Sequence, residues 1–468
     1  MAHMFDTVAI PVWLLTLILL FAAVTFATHF LNPTVRWFFR ARAERVVARL
    51  NQRLEVPIQP FKLARRHDTI LRLIYDPAVT RAVADHARAT GLREDAAFAL
   101  AEKYAREIVP SFSASAYFGF AIRVARWLSN SLFHVRVQQG RDDMLRGVDP
   151  AATLVFVMNH RSNMDYVLVT WLASNRGALS YAVGEWARVW PLSVLFRAMG
   201  AYFIRRNART PLYRRVLARY VQMATEAGVT QAIFPEGGLS LTGEVGPARL
   251  GLLSYIVAAG KRPVVFVPVA LNYDQVLEDR ILIDAAAQGE RRFRGSMFSN
   301  AMFVLHWLGR RITGKGHRFG HAAVAFGAPV KLQQEVGDSD TGRITALAET
   351  LMDRLRANVP VLPVPLACLA LHRADGPLRE PALRALMAAL AARMQAHSGL
   401  MCQLDGGEDP LTTLRLRGVL QDTALGFAVV PGQESLVAFY AASIAHHLLP
   451  DADAAMQEYP GEAATPET

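Results

Sequence analysis

Apolar residues are spaced in two different ways along this chain, and the spacing predicts which segments are strands and which are helices. Between residues 132 and 326, short apolar runs alternate with longer segments whose apolar positions recur every three or four residues. The short runs are typical of buried strands, and the longer segments are typical of amphipathic helices. Strands that alternate with helices predict an α/β fold in which helices flank a central mixed β-sheet. The expected strands are 132–137, 153–157, 179–183, 200–204, 230–234, 264–271 and 321–326.

The segments before and after this region show the helical spacing. Ile70, Leu73 and Ile74 form one apolar stripe within residues 61–131, at the intervals of an amphipathic helix. Beyond residue 337 the pattern is helical again, with a proline-rich connector at 359–365. We therefore expect a membrane-anchoring helix at 1–35, a helical region at 36–131, the α/β domain at 132–335, a C-terminal helical lobe at 336–450 and a disordered tail at 451–468.

The N-terminal segment predicts attachment to a phospholipid bilayer. Residues 8–31 contain no Asp, Glu, Lys or Arg, and about 20 apolar residues are enough to cross a bilayer. Arg36, Arg40 and Arg42 follow directly, and basic residues beside a membrane helix favour the cytoplasmic side. We therefore expect a single membrane segment with the rest of the protein in the cytoplasm. A helix that lies flat on the bilayer is the alternative.

The charge and cysteine content narrow the classes of partner. Lys and Arg number 51 against 40 Asp and Glu, a net charge of +11. Such a surplus suits nucleic acid, anionic lipid or an anionic substrate. The arginines are spread out and no known nucleic-acid-binding module is present, so we expect no nucleic-acid partner. Cys368 and Cys402 lack metal-ligand spacing, and we predict no metal site.

The first candidate for chemistry follows the strand at 153–157, where residues 159–166 read NHRSNMDY. His160 and Asp165 are five positions apart, so on a continuous α-helix they would point roughly 140° away from each other. They can meet if His160 lies on the turn and Asp165 in the first turn of a following helix, with Ser162 or Asn163 as its N-cap. A carboxylate on one imidazole nitrogen leaves the other nitrogen to take a proton from a hydroxyl. The alternative is a helix cap beside a histidine with no chemical role.

Two neighbouring arginines follow the strand at 200–204. Side chains of successive strand residues point to opposite sides, so one of Arg205 and Arg206 would face a cleft at the sheet edge. A guanidinium is well matched to a phosphate because it binds two oxygens at once. The alternative is an exposed basic strand end.

The strand at 230–234 ends in a turn with two glycines. Gly237 and Gly238 allow the backbone to present N–H groups to an anion, and Glu236 could accept hydrogen bonds from substrate hydroxyls. The alternative is a tight turn with a surface carboxylate. Farther along, Pro268 interrupts the hydrogen bonding of its strand, which predicts an edge position or a bulge.

Four segments, taken together and in order, resemble the conserved blocks of the glycerophospholipid acyltransferase family. They are NHRSNMDY at 159–166, GAYFIRR at 200–206, FPEGGLS at 234–240 and VPV at 267–269. Further segments are similar to the bacterial-type glycerol-3-phosphate acyltransferases, so the resemblance spans about residues 61–449. These segments are YAREI at 104–108, PARLG at 247–251 and FYAASIAH at 439–446.

The resemblance implies a membrane-bound enzyme of the cell inner membrane that acylates the 1-hydroxyl of glycerol 3-phosphate. The acyl group would come from acyl-CoA or acyl-carrier protein, and the product would be lysophosphatidate, with no cofactor. His160 would be the general base and Asp165 would orient it. The remaining implied substrate-binding residues are Arg161, Ser162, Arg205, Arg206, Glu236, Gly237, Gly238, Ser240, Arg249 and Pro268.

One position departs from the family pattern. The third block usually carries an Arg where this chain has Leu239. A hydrogen bond to a charged group contributes about 1.5–3 kcal/mol, so its loss would weaken phosphate binding. Lysophosphatidate or another lysolipid therefore remains an alternative acceptor. An alternative hypothesis, from a different functional class, is a membrane-anchored protein that binds lipid without catalysis.

Overall fold

A computed structural model describes most of the chain. The described residues are 11–26, 42, 44–137, 148–174, 177–184, 188, 192–205, 210–289, 318–332, 340–398 and 408–448. They fall into two compact units, Met1–Pro57 and Ile58–Thr468. The predicted tail at 451–468 lies outside the described residues.

The first unit contains helix α1, Val12–Phe26, which has 15 residues and no charged side chain. Within the described part of the chain, no helix has both the length and the apolar character needed to span a membrane. The predicted spanning helix is therefore not confirmed. Its flanks, 1–10 and 27–35, lie outside the described residues.

The second unit is built on an eight-stranded sheet. Its strands are β1 His134–Val137, β2 Thr153–Met158, β3 Ser180–Val183, β4 Tyr202–Phe203, β5 Gln231–Ile233, β6 Val264–Tyr273, β7 His321–Phe326 and β8 Val330–Lys331. The strand order is β1-β7-β6-β2-β5-β3-β4, and β8 pairs with β6 beyond the end of β7. β6, β2, β5, β3 and β4 are parallel, whereas β7 is antiparallel to β6. The predicted mixed sheet is present, and the carboxyl ends of its five parallel strands meet at one edge.

Helices surround this sheet. Those before and between its strands are α2 Pro60–Leu63, α3 Arg66–Ile74, α4 Pro77–Thr90, α5 Glu94–Ile108, a π-helical turn Ser115–Ala121, α6 Ile122–Leu132, α7 Met164–Leu172, α8 Leu192–Ala198, α9 Pro211–Glu226, α10 Leu250–Val257 and α11 Asp279–Ala287. Local chemistry sets several of their ends. Asp76 caps α4 by accepting a hydrogen bond from Ala78 N at 2.9 Å, and α9 begins with Pro211 in its first turn.

β2 and β6 form the centre of the sheet, and every residue of both strands is buried. Strands covered on both faces read as continuous apolar runs, which is why both were predictable. The expectation that Pro268 lies at an edge or bulge is wrong, because β6 is one ten-residue strand inside the sheet. Pro268 lies opposite the break between β7 and β8, where its carbonyl accepts a hydrogen bond from Gly327 N at 2.8 Å. The missing N–H at Pro268 therefore removes no ladder bond on that side.

The C-terminal lobe contains α12 Asp340–Ala357, α13 Pro363–Arg373, α14 Glu380–Ser398, α15 Pro410–Leu416, strands β9 Leu420–Thr423 and β10 Gly426–Val429, and α16 Glu434–Ala445. The helical character of this lobe was predicted. The proline-rich connector instead leads into α13, where Pro363 occupies the first turn, a position that needs no N–H donor. The antiparallel hairpin β9–β10 was not predicted.

Candidate active site

His160 and Asp165 meet at the carboxyl end of β2. His160 lies on the turn after the strand, and Asp165 is in the first turn of α7, as the spacing predicted. The His160 Nδ1 atom is 2.9 Å from Asp165 Oδ2, and the His160 side chain is only 3% exposed. A buried carboxylate on Nδ1 fixes the imidazole tautomer and leaves Nε2 as the basic nitrogen.

Both oxygens of Asp165 are occupied by donors. Oδ2 also accepts hydrogen bonds from Arg161 N at 2.7 Å and Ser162 N at 3.0 Å. Oδ1 accepts one from the Tyr273 hydroxyl at 2.7 Å. Burial raises the pKa of Tyr273 well above its ordinary value, and Asp165 adds to this effect, so the hydroxyl stays protonated and donates. Four donors therefore hold the carboxylate that orients His160.

Aromatic rings enclose the His160 imidazole. Phe234 stacks on it with ring centroids 4.1 Å apart, and Tyr166 meets it edge-on at 5.3 Å. Among the described residues, His160 Nε2 has no hydrogen-bonding partner. The ring is fixed in place while the nitrogen that would accept a proton stays available.

The loop after β5 is bound to the main chain of His160. Glu236 Oε1 accepts a hydrogen bond from His160 N at 2.8 Å, and Oε2 accepts one from Gly246 N at 3.0 Å. In return, Ser240 N donates to the His160 carbonyl at 2.9 Å. Burial raises the pKa of Glu236, and these two N–H donors oppose the rise. Glu236 thus positions the histidine turn, whereas the sequence predicted that it would accept hydrogen bonds from substrate.

Other residues of this loop have different roles. Gly237 adopts a left-handed conformation with φ of 70°, and a Cβ there would lie 2.7 Å from Arg249 Cδ. Arg249 is exposed, and its guanidinium has no hydrogen-bonding partner among the described residues. Ser240 Oγ donates to the Glu244 carbonyl at 2.7 Å and accepts from Gly243 N at 3.1 Å. Gly238 belongs to the same turn, so Arg249 is the part of the loop that presents a free cation.

Ser162 closes the start of α7. Its Oγ accepts a hydrogen bond from Met164 N at 3.1 Å, in the manner of an N-cap. The same hydroxyl donates to Glu278 Oε2 at 2.8 Å, and Glu278 Oε1 accepts from Asn163 Nδ2 at 3.0 Å. Burial raises the pKa of Glu278, which the Ser162 and Asn163 donors oppose. Ser162 therefore helps to hold the turn that carries His160, through its hydrogen bonds with Met164 and Glu278.

Arg161 is buried, although the sequence predicted that it would bind substrate. Its side chain is 2% exposed, lies 4.9 Å from the ring of Phe439 and donates from Nη1 to the Gly243 carbonyl. Its Nε and Nη2 atoms have no hydrogen-bonding partner among the described residues. Burial lowers the pKa of this guanidinium. Arg161 is thus a buried cation directly behind the histidine.

Arg205 lies at the same edge of the sheet, two residues after β4. Because β4 is three strands from β2, the two strand ends are roughly 14 Å apart. Arg205 Nε and Nη2 donate to the two carboxylate oxygens of Glu107, at 2.8 and 2.6 Å. Arg188 also pairs with Glu107. Arg205 and Arg188 therefore share a single carboxylate, that of Glu107. Arg206 lies outside the described residues.

Comparisons with known proteins identify the sheet region. Residues 135–272 match the family model described as Acyltransferase. The chain carries an acyltransferase domain. The resemblance drawn from the four sequence blocks is thereby confirmed.

Three relatives of this acyltransferase domain are called glycerol-3-phosphate acyltransferase. That of Pseudomonas entomophila (strain L48) is 28% identical, over 70% of this chain and 41% of its own length. That of Aeromonas hydrophila is 28% identical, over 67% and 40%. That of Actinobacillus succinogenes is 31% identical, over 58% and 33%. The chain therefore spans about two fifths or less of the length of these relatives.

One solved structure is also similar, that of the 1-acyl-sn-glycerophosphate (LPA) acyltransferase PlsC from Thermotoga maritima. The two chains are 18% identical with a TM-score of 0.32, and the match covers 52% of this chain and 80% of that one.

Three residues of the acyltransferase site were not predicted from the sequence. Tyr273 ends β6 at the edge where His160 lies, and its position at a strand end is a signal that could have drawn attention to it. Glu278 gave no local signal, because it does not follow a strand of the sheet directly. Glu107 lies in the segment YAREI at 104–108, which carried part of the resemblance, but no role was assigned to it. All three hold another site residue by a hydrogen bond.

Proposed function

We propose that this acyltransferase transfers a fatty acyl group from a thioester to the 1-hydroxyl of glycerol 3-phosphate and releases lysophosphatidate. The observation that carries the proposal is the His160–Asp165 pair, in which Nδ1 is bound at 2.9 Å and Nε2 has no partner among the described residues. A general base needs this arrangement. The names of the three relatives agree with the choice of acceptor.

In this mechanism His160 Nε2 takes the proton of the glycerol hydroxyl as the oxygen attacks the thioester carbonyl. A C–O bond forms and the C–S bond breaks, and the departing thiolate takes the proton back from the imidazolium. Asp165 stabilises the imidazolium between these two steps. The reaction requires only the two substrates, which would be glycerol 3-phosphate and acyl-CoA or acyl-carrier protein.

The phosphate of the acceptor would bind to arginines at the sheet edge. Arg205 and Arg188 share the single carboxylate of Glu107, so the group keeps a net positive charge that can attract a phosphate. Arg249 supplies a second cation on the loop bound to His160. We propose that Arg205 and Arg249 hold the phosphate.

We also propose that the enzyme works at the cytoplasmic face of the cell inner membrane, because its product carries a fatty chain. Large apolar side chains of α1 are exposed, among them Trp13 at 66% and Phe21 at 72%. Apolar surface of this kind favours contact with a bilayer. Fractionation of cells, with a carbonate wash of the membrane pellet, tests the assignment. Recovery of the protein only in the soluble fraction would reject it.

A panel of donors and acceptors tests the reaction. Purified protein is given acyl-CoA or acyl-carrier protein with labelled glycerol 3-phosphate, lysophosphatidate or other lysolipids, and thioester consumption is followed. We expect lysophosphatidate from glycerol 3-phosphate and no product from His160→Ala. Turnover with a lysolipid alone would favour the acceptor class that Leu239 leaves open. Tight acyl-CoA binding without thioester cleavage would favour a lipid-binding protein.

A further inference from the structure

Helix α16 of the C-terminal lobe contacts the supports of the His160–Asp165 pair at three points. The side chains involved are Phe439, Tyr440 and Ser443, which lie on one face of the helix and are buried. Ser443 is three positions after Tyr440 and four after Phe439, the spacings at which helix residues share a face. Each of the three reaches a different segment of the acyltransferase site.

Tyr440 fixes the turn that carries Glu278. Its hydroxyl donates to Asp279 Oδ2 at 2.6 Å and accepts from Val276 N at 2.9 Å. Arg417 also pairs with Asp279 and lies 5.3 Å from the Tyr440 ring. Glu278, which immediately precedes Asp279, accepts a hydrogen bond from the Ser162 hydroxyl. The position of the Glu278 carboxylate therefore depends on α16.

Phe439 packs against Arg161, the residue after His160. Its ring lies 4.9 Å from the Arg161 guanidinium, and Arg161 N is one of the donors to Asp165 Oδ2. The Phe439 carbonyl occupies the space into which a Cβ at Gly243 would project. Gly243 has a φ of 92° and receives the hydrogen bond of Arg161. Helix α16, the loop at Gly243 and the Arg161 side chain are thus in direct contact.

Ser443 makes the third contact, at the end of β6. Asn272 Nδ2 donates to the Pro360 carbonyl at 2.9 Å and lies 3.4 Å from Ser443 Oγ. Asn272 precedes Tyr273, whose hydroxyl holds Asp165 Oδ1. Each of the three contacts therefore reaches a residue that donates to Asp165 or lies within two residues of Tyr273 or Glu278, which hold Asp165 and the start of α7.

We propose that α16 sets the geometry of the His160–Asp165 pair, with Tyr440 and Phe439 as positioning residues. The proposal rests on the proposed function for its consequence in turnover, although the placement itself concerns only this chain. Small displacements of a catalytic group are costly, since about 1 Å can lower a rate by on the order of a hundred-fold. The C-terminal lobe would then be part of the catalytic unit and not an appended domain.

Tyr440→Phe tests the proposal, because it removes one hydroxyl and keeps the ring. Tyr117→Phe is the matched control, since the Tyr117 hydroxyl is equally buried and accepts a hydrogen bond from Leu179 N at 3.1 Å. Hydrogen–deuterium exchange of peptides covering 159–166 is measured on both full-length variants and on the wild type. The amides of Arg161 and Ser162 report directly on their bonds to Asp165.

We expect faster exchange in 159–166 for Tyr440→Phe and unchanged exchange for Tyr117→Phe. We also expect kcat to fall on the order of ten- to a hundred-fold, with KM for both substrates nearly unchanged. Wild-type exchange in this segment, or equal acceleration in both variants, would overturn the proposal. An inactive wild-type protein would reject the proposed function but leave the exchange result decisive. Should Tyr440→Phe not fold, Phe439→Leu decides by the same two measurements.

Discussion

Replacement of Asp165 by asparagine separates the charge of the orienting group from its shape. An asparagine oxygen can face the three donors that now bind Oδ2, which are His160 Nδ1, Arg161 N and Ser162 N. Its amide group then faces the Tyr273 hydroxyl, which can accept a hydrogen bond as readily as it donates one. Asp165→Asn should therefore keep the fold and the imidazole tautomer while it removes the negative charge.

The size of the effect follows from the geometry. With Nδ1 and Oδ2 2.9 Å apart, the centres of the imidazolium and carboxylate charges are about 4 Å apart, which gives about 4 kcal/mol at an effective dielectric constant of about 20. This attraction exists only once His160 has taken a proton, so its loss raises the barrier and spares the ground state. A loss of about 4 kcal/mol corresponds to a fall in kcat of about a thousand-fold.

The assay is the steady-state rate of acyl transfer to glycerol 3-phosphate, together with a thermal melt of each protein. Asp76→Asn is the control, because Asp76 Oδ2 lies 2.7 Å from Arg219 Nε in a partly buried ion pair between the start of α4 and α9, and neither residue contacts the His160–Asp165 pair or its supports. We expect the control to lose stability and to keep kcat within about three-fold of the wild type. A folded Asp165→Asn enzyme with more than about a tenth of wild-type kcat would refute the electrostatic reasoning.

Further substitutions test other contacts of the site. Tyr273→Phe removes one donor to Asp165, a bond of about 1.5–3 kcal/mol, so kcat should fall about ten-fold or more in the same assay; wild-type kcat would contradict this. Leu239→Arg adds the missing third-block cation and should lower KM for glycerol 3-phosphate by up to about ten-fold, whereas an unchanged KM would place Leu239 away from the phosphate. Burial raises the pKa of Glu278, so this carboxyl group stabilises the fold in acid and that contribution is lost as pH rises through the folded-state pKa. The free energy of unfolding in urea should therefore be higher for Glu278→Gln, relative to the wild type, at about pH 8 than at about pH 4.5. A difference between the two proteins that does not change with pH would contradict this.

The arrangement of His160 and Asp165 was predictable because local rules determine it. A buried strand, a capping residue and a helix start all fall within residues 153–166. Hydrophobic spacing reveals the strand and the helix, and residue type reveals the cap. The central strands β2 and β6 were predictable for a related reason, since burial on both faces leaves an uninterrupted apolar run.

The supports of the pair depend on contacts between distant segments. Tyr273 is 108 positions from Asp165, and Glu278 is 116 positions from Ser162. Only the order of strands brings these residues together, and hydrophobic spacing carries no information about that order. The same limit explains Pro268, whose residue type predicts an edge or a bulge, whereas its strand β6 pairs with β2 on one side and with β7 and β8 on the other. Arg205 was placed at the correct edge, but its pairing with Glu107 from α5 was not foreseeable from the strand pattern.

The close approach of Gly243 to Phe439 limits how this protein can be recombined. No side chain fits at Gly243 unless α16 shifts, because the Phe439 carbonyl lies where the first side-chain atom would be. A chimera that joins the sheet of one homologue to the lobe of another would have to keep glycine at this point of contact. Loop and helix would thus be inherited as a matched set, even though about 200 residues of sequence separate them.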